Sequence, residues 1–147
     1  MSRLLITLII LVLSCSVSAG ESMATRLAGQ WRGVGVQSDD QNWLMELTLT
    51  GGGATVDYPD MPCGGTWVFS KVQSDSITAT EIISYGRDLC IDNSTVILST
   101  AGEGNLLALW KNPDDSDLAI AVLYREGPRP HAFKTDFSES MRAWNNR

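Results

Sequence analysis

Histidine occurs once in this chain, at position 131, and that scarcity removes whole classes of chemistry. A Ser-His-Asp triad or a His-based zinc site would have to be assembled around it. His131 follows Gly127-Pro128-Arg129-Pro130, so it is expected to be a solvated linker residue without the rigid support that catalysis needs. Cysteine is also scarce, with three in 147 residues and no Cys-x-x-Cys pair, which argues against thioredoxin-like redox work. Cations are few, with 11 Lys and Arg against 17 Asp and Glu and a formal net charge of −6. Nucleic acid and anionic lipid both call for clustered positive charge, so neither is an expected partner. After residue 13 no apolar run is long enough to cross a bilayer as a helix.

The carboxylates that are present fall in turns: Asp39-Asp40, Asp57 and Asp60, Asp88 and Asp92, and Asp114-Asp115 with Asp117. Turn chemistry accounts for such positions. A glycosidase would need two of them facing each other across a cleft. The 114–117 cluster lacks the Asp-x-Asp-x-Asp-Gly spacing and later Glu of a calcium loop. No metal site, cofactor or catalytic residue is expected.

The amino terminus has the form of an export signal over residues 1–19. Arg3 gives a positive start, and Leu4 to Leu13 form an apolar stretch too short to span a membrane. Two exits from the signal are open. Val12-Leu13-Ser14-Cys15 resembles a lipobox, which would make Cys15 a lipidated first residue and the protein a membrane-anchored lipoprotein. Val17-Ser18-Ala19 before Gly20 fits ordinary cleavage, which would release it to the periplasm or the medium. Either exit leaves Cys63 and Cys90 as a pair, and an even pair in an exported chain is expected to form a disulfide.

Past the signal, Gly, Asp, Asn and Pro divide the chain into short segments at regular intervals, which predicts an all-β domain over 20–126. Eight strands are expected at 27–37, 43–50, 54–58, 66–72, 77–84, 94–100, 106–111 and 118–125. The second alternates most clearly, with Trp43, Met45, Leu47 and Leu49 on one face. Short connections make sequential strands antiparallel neighbours, and closure would remove exposed edges. The expected architecture is therefore a small antiparallel up-and-down barrel or meander, favoured over a sandwich. Residues 127–147 form a linker and a C-terminal helix. Phe133, Phe137, Met141 and Trp144 make one helical stripe, expected to lie back on the barrel.

Asp57-Tyr58-Pro59 and Gly86-Arg87-Asp88 flank the two cysteines, so a disulfide would bring these polar loops together. Arg87 is expected to donate charge-assisted hydrogen bonds to Asp57, Asp60 or Asp88. If the loops bind a polar ligand, Asp57, Tyr58, Trp67, Arg87 and Asp88 are the candidate residues, with Tyr58 and Trp67 as stacking surfaces.

The stretches Gly51 to Pro59, Cys63-Gly64-Gly65-Thr66-Trp67 and Gly86-Arg87-Asp88-Leu89-Cys90-Ile91-Asp92 resemble a recurrent bacterial extracytoplasmic module. That module occurs as a free-standing exported protein and beyond the membrane span of some bacterial serine/threonine kinases. The likeness covers residues 27–125 and implies no catalytic residue. A second likeness is to lipocalins, whose first strand carries Gly-x-Trp, matched by Gly29-Gln30-Trp31. It implies that Arg125, near the end of the last strand, packs over Trp31. The leading functional expectation is a non-enzymatic binding or interaction module of the bacterial cell envelope, with an envelope protein or cell-wall component as partner. The alternatives are a lipocalin-like carrier of a small apolar molecule and a hydrolase using loop carboxylates. A carrier calls for an apolar cavity of about 300 Å³ or more.

Overall fold

Alternating side chains and short Gly- or Asp-containing turns close the chain into an eight-stranded antiparallel barrel. The computed structural model describes residues 21–125 and 133–146. The export signal, Cys15 and the linker with His131 lie outside the described residues. The strands are β1 (Gly29–Gln37), β2 (Asn42–Leu49), β3 (Ala54–Tyr58), β4 (Cys63–Val72), β5 (Ser76–Tyr85), β6 (Thr95–Thr100), β7 (Leu106–Lys111) and β8 (Asp117–Tyr124). Each pairs with its sequence neighbours, and β1 pairs with β8 from Arg32↔Tyr124 to Gln37↔Ala119. No edge is left for another chain to extend.

Side-chain period two fills the interior. Trp43, Met45, Leu47 and Leu49 of β2 point inward with Ile77, Ala79 and Ile83 of β5, and all are buried. The expected strands agree with the observed ones to within one residue at each bound, except at two starts. The first is shorter, because 23–26 forms one helical turn, α1 (Met23–Arg26), before β1 begins. Four residues carry too little periodicity to be recognised as helix. The fourth is longer, because Cys63-Gly64-Gly65 continues into β4 rather than making a turn. Here glycine permits close approach: a Cβ on Gly65 would lie 2.0 Å from the Ile82 carbonyl oxygen, beside a register shift between β4 and β5.

The two ends of the barrel differ. At the end where β1 starts, α1 acts as a plug, with Met23 and Ala24 fully buried. Ser22 caps this turn by accepting from the Thr25 amide at 3.2 Å, and Arg26 donates to the Ser74 carbonyl across the opening at 2.8 Å. Trp31 donates its indole N–H to the Leu27 carbonyl, and the Arg125 guanidinium lies 4.6 Å from the Trp31 ring centroid. Arg125 also donates to the Ala28 carbonyl at 3.0 Å. The Arg125–Trp31 stack expected from the Gly-x-Trp segment is thus present, and it seals this end.

A second helix, α2 (Phe133–Asn145), packs outside the barrel on β1 and β8. That cover explains why Val34, Val36, Ile120 and Val122 are buried although they alternate with the interior set. The Tyr124 hydroxyl donates to the Glu139 carboxylate across this contact. The helix therefore lies back on the barrel as its apolar stripe predicts.

Near the opposite end a glycine makes room for a tryptophan. Gly35 pairs with Trp43 across β1 and β2, and the six-membered ring of Trp43 lies over it. A Cβ on Gly35 would meet Trp43 Cη2 at 2.2 Å, Cζ2 at 2.3 Å and Cζ3 at 2.4 Å. Gly35→Ala is expected to destabilise the fold by about 1–3 kcal/mol, the usual range for overpacking a filled core. It should also displace the Trp43 indole. Urea unfolding followed by far-UV dichroism and tryptophan emission measures both, and an unchanged midpoint with unchanged emission would contradict this packing.

Candidate functional site

Glu81 is the one charged residue buried among the described residues, at 3% exposure. It occupies an inward register position of β5, between Ala79 and Ile83. Three aromatic donors converge on it. Oε1 accepts from the Tyr58 hydroxyl and from Trp67 Nε1 at 3.0 Å, and Oε2 accepts from Trp110 Nε1 at 3.1 Å. The donors come from β3, β4 and β7, so one carboxyl group ties four strands around the axis. Their rings continue as an edge-to-face chain. Trp43 contacts Tyr58 at 5.2 Å and Trp110 at 5.1 Å between centroids, and Trp110 contacts Trp67 at 5.8 Å.

Burial pushes the Glu81 pKa up from the ordinary carboxylate value. Hydrogen bonds from Tyr58, Trp67 and Trp110 oppose that shift, and the charge of Asp92 reinforces it. Burial and the negative charge of Glu81 together hold the Tyr58 hydroxyl well above its usual value. No Lys or Arg pairs with Glu81 among the described residues; the ion pairs there are Arg32–Glu46 and Lys111 with Asp115 and Asp117.

A cavity of about 150 Å³ opens beside this group. Its buried wall is Trp43, Tyr58, Glu81, Ser94, Trp110 and Ala119. Its rim includes Gln41, Leu89 and Ile91, the last two being 53% and 52% exposed despite their apolar side chains. Trp43 adds a further oddity. Its Nε1 is the one buried side-chain polar atom without a hydrogen-bond partner among the described residues. Buried donors are normally satisfied.

The rim is held by the loop 86–94. Cys63 and Cys90 form the expected disulfide, which ties this loop to the first residue of β4 with 6.3 Å between Cα atoms. Gly86 lies at φ 65° and packs against Pro62 and Cys63, where a Cβ would come within 2.3 Å of the Pro62 carbonyl oxygen. Pairing of β5 with β6 stops at Thr80↔Thr95. The backbone beyond it is served by the loop instead. Glu81 N–H donates to the Ser94 carbonyl and Asn93 N–H to the Glu81 carbonyl, both at 2.9 Å. Asp92 Oδ1 accepts from Ile83 N–H at 2.9 Å.

The five candidate binding residues do not form one outer patch. Tyr58 and Trp67 turn inside the barrel, so they are hydrogen-bond donors to Glu81 rather than exposed stacking surfaces. Their inward register positions decide this. Arg87 Nε donates to the Ile83 carbonyl at 2.7 Å rather than to the carboxylates it was expected to meet. Asp57 accepts from the Tyr85 hydroxyl, which that hydrogen bond holds above its ordinary pKa. Asp60 accepts from the Leu44 amide through both oxygens at 3.0 Å, and Asp88 is exposed. Backbone groups near strand ends captured Arg87 and Asp60, and a tyrosine hydroxyl captured Asp57.

Glu81 is the residue that sequence reasoning missed. The signal was there: Ile77, Ala79 and Ile83 put it on the apolar side of an alternating strand. A charge on that side is uncommon unless it is partnered. Among the described residues no group of three His, Cys, Asp or Glu side chains is placed to hold a metal ion. In comparisons with known proteins, no family profile, curated protein or solved structure matched the chain.

Proposed function

We propose that this protein is a non-enzymatic binding module of the bacterial cell envelope, exported from the cytosol, and that it captures a small ligand or an exposed chemical group at the open end of its barrel. One observation carries this reading. Glu81, a buried carboxyl group, and Trp43, whose indole N–H is unsatisfied, both line a cavity that opens between apolar rim residues. Polar groups kept inside an apolar cavity are the usual basis of orientation and specificity for a bound molecule. The paired cysteines and the export-type amino terminus support an oxidising compartment outside the cytosol.

The carrier alternative is weaker, because about 150 Å³ is half the lower bound of a typical ligand pocket. The hydrolase alternative is weaker too. The cavity wall contains Ser94 but no His or Lys to activate it, and Glu81 is engaged by three donors.

Thermal unfolding across a library of small envelope-type molecules tests the reading. A ligand at one hundred times its Kd stabilises a fold by about 2.7 kcal/mol, which for a domain of this size is a rise of about 10 °C. The expected hit loses its effect in an Ile91→Trp variant that crowds the rim. A library in which nothing raises the melting temperature would remove the proposal.

A further inference from the structure

Glu81 has more acceptor capacity than its protein partners use. A carboxylate oxygen accepts two hydrogen bonds. Oε1 takes two, from Tyr58 and Trp67, whereas Oε2 takes one, from Trp110. The remaining position belongs to a negative group in the cavity wall, with no cation paired to it among the described residues. An isolated charge held away from water is expensive and calls for an opposite charge.

The rest of the wall fits the same partner. Trp43, Tyr58 and Trp110 are three aromatic rings bordering one cavity, and edge-to-face packing sets neighbouring rings nearly at right angles, 88° for Trp43–Tyr58 and 90° for Trp43–Trp110. Rings in mutually perpendicular planes form a corner, so a group seated there can meet a ring face. A cation over an aromatic face is attracted by the ring quadrupole, most strongly by tryptophan, and the attraction grows with desolvation. Carboxylate and aromatic wall together select positive charge. Size limits the head: a cavity of about 150 Å³ holds a molecule about the size of benzene. The exposed Leu89 and Ile91 at the rim offer apolar surface to whatever extends outward. The formal net charge of −6 favours the approach of cations from solution.

We propose that the barrel mouth is a receptor for a small organic ammonium group, seated against Glu81 Oε2 and the rings of Trp43 and Trp110, with an apolar substituent resting on Leu89 and Ile91. This assignment rests on the binding reading above and names its ligand class.

The test compares charged molecules with neutral carbon isosteres on the full chain, with tryptophan fluorescence as the readout because Trp43 and Trp110 form the site. The pairs are choline with 3,3-dimethyl-1-butanol, and butylammonium with 1-butanol. Each cation is expected to give a saturable change and to bind at least tenfold more tightly than its neutral partner. Glu81→Gln should remove that preference, bringing each cation to within about twofold of its neutral partner. Should Glu81→Gln fold poorly, Ile91→Lys serves instead: the position is exposed, and a tethered ammonium at the rim should weaken cation binding at least fivefold. Neutral isosteres binding as well as the cations would overturn the ammonium assignment and leave the binding module standing. Absence of saturation by either cation would also overturn it, and the library experiment then decides separately whether the mouth binds anything.

Discussion

Glu81→Leu is expected to lower stability by about 4 kcal/mol, because it strands three buried donors that each lose about 1–3 kcal/mol when unpaired. The donors are the Tyr58 hydroxyl and the Nε1 groups of Trp67 and Trp110. Leucine matches the apolar neighbours Ala79 and Ile83 but accepts nothing. At about 4 °C per kcal/mol for a domain of this size, the melting temperature should fall by about 16 °C. Glu81→Gln should lose less, since its amide oxygen still accepts from Tyr58 and Trp67 while its NH₂ faces the Trp110 donor. Calorimetry or thermal dichroism of both variants measures the difference. Equal melting temperatures for wild type and Glu81→Leu would show that the aromatic ring packing alone holds this end of the barrel.

The same carboxyl group gives the stability a pH dependence of definite sign. Burial raises the folded-state pKa of Glu81 above its unfolded value. Between those two values the folded chain binds more protons than the unfolded chain, so stability falls as pH rises through the window. The contribution is fully present below the ordinary glutamate value and is lost above the raised one. Glu81→Gln should lack that decline, so the stability difference between the two proteins should change with pH across the window. A decline of equal slope in both would assign it to other groups.

Reduction of the Cys63–Cys90 disulfide is the other large effect. It closes 27 residues, and a loop of that length is expected to contribute about 3.5 kcal/mol by restricting the unfolded chain. The crosslink also fixes the rim, because loop 86–94 carries Leu89 and Ile91 and supplies the hydrogen bonds that replace the missing end of the β5–β6 pairing. Chemical unfolding of the Cys63→Ala/Cys90→Ala double variant should show the lower midpoint. Ligand binding in the surviving folded fraction should weaken as well. An unchanged midpoint would mean that the Gly86 turn and the Asp92 hydrogen bonds hold the loop without the disulfide.

How the sequence relates to the structure differs from element to element. Period-two alternation in Trp43 to Leu49, repeated glycine and aspartate turns, and a helical stripe after Pro130 are local signals, and local signals set the strand inventory, the antiparallel order and the final helix. An even pair of cysteines behind an export-type amino terminus was enough to expect the disulfide. Gly29-Gln30-Trp31 and Arg125 stand almost a hundred residues apart, and their stack was expected only through the resemblance to lipocalins, since nothing local joins the two segments. Gly64-Gly65 misled because glycine has two uses, and turning the chain is the commoner one. Its other use, letting backbones approach, depends on a neighbouring strand that sequence does not display.

The site is the part that only the tertiary structure decided. Tyr58, Trp67, Glu81 and Trp110 lie on four different strands, and closure of the barrel alone brings their polar atoms within hydrogen-bonding distance. The sequence determined that this chain would be a stapled β domain, because hydrophobic periodicity and turn chemistry act between near neighbours. Which polar side chains would face each other inside was settled by strand register and barrel closure, because hydrogen bonds and charge act through distances in space rather than along the chain.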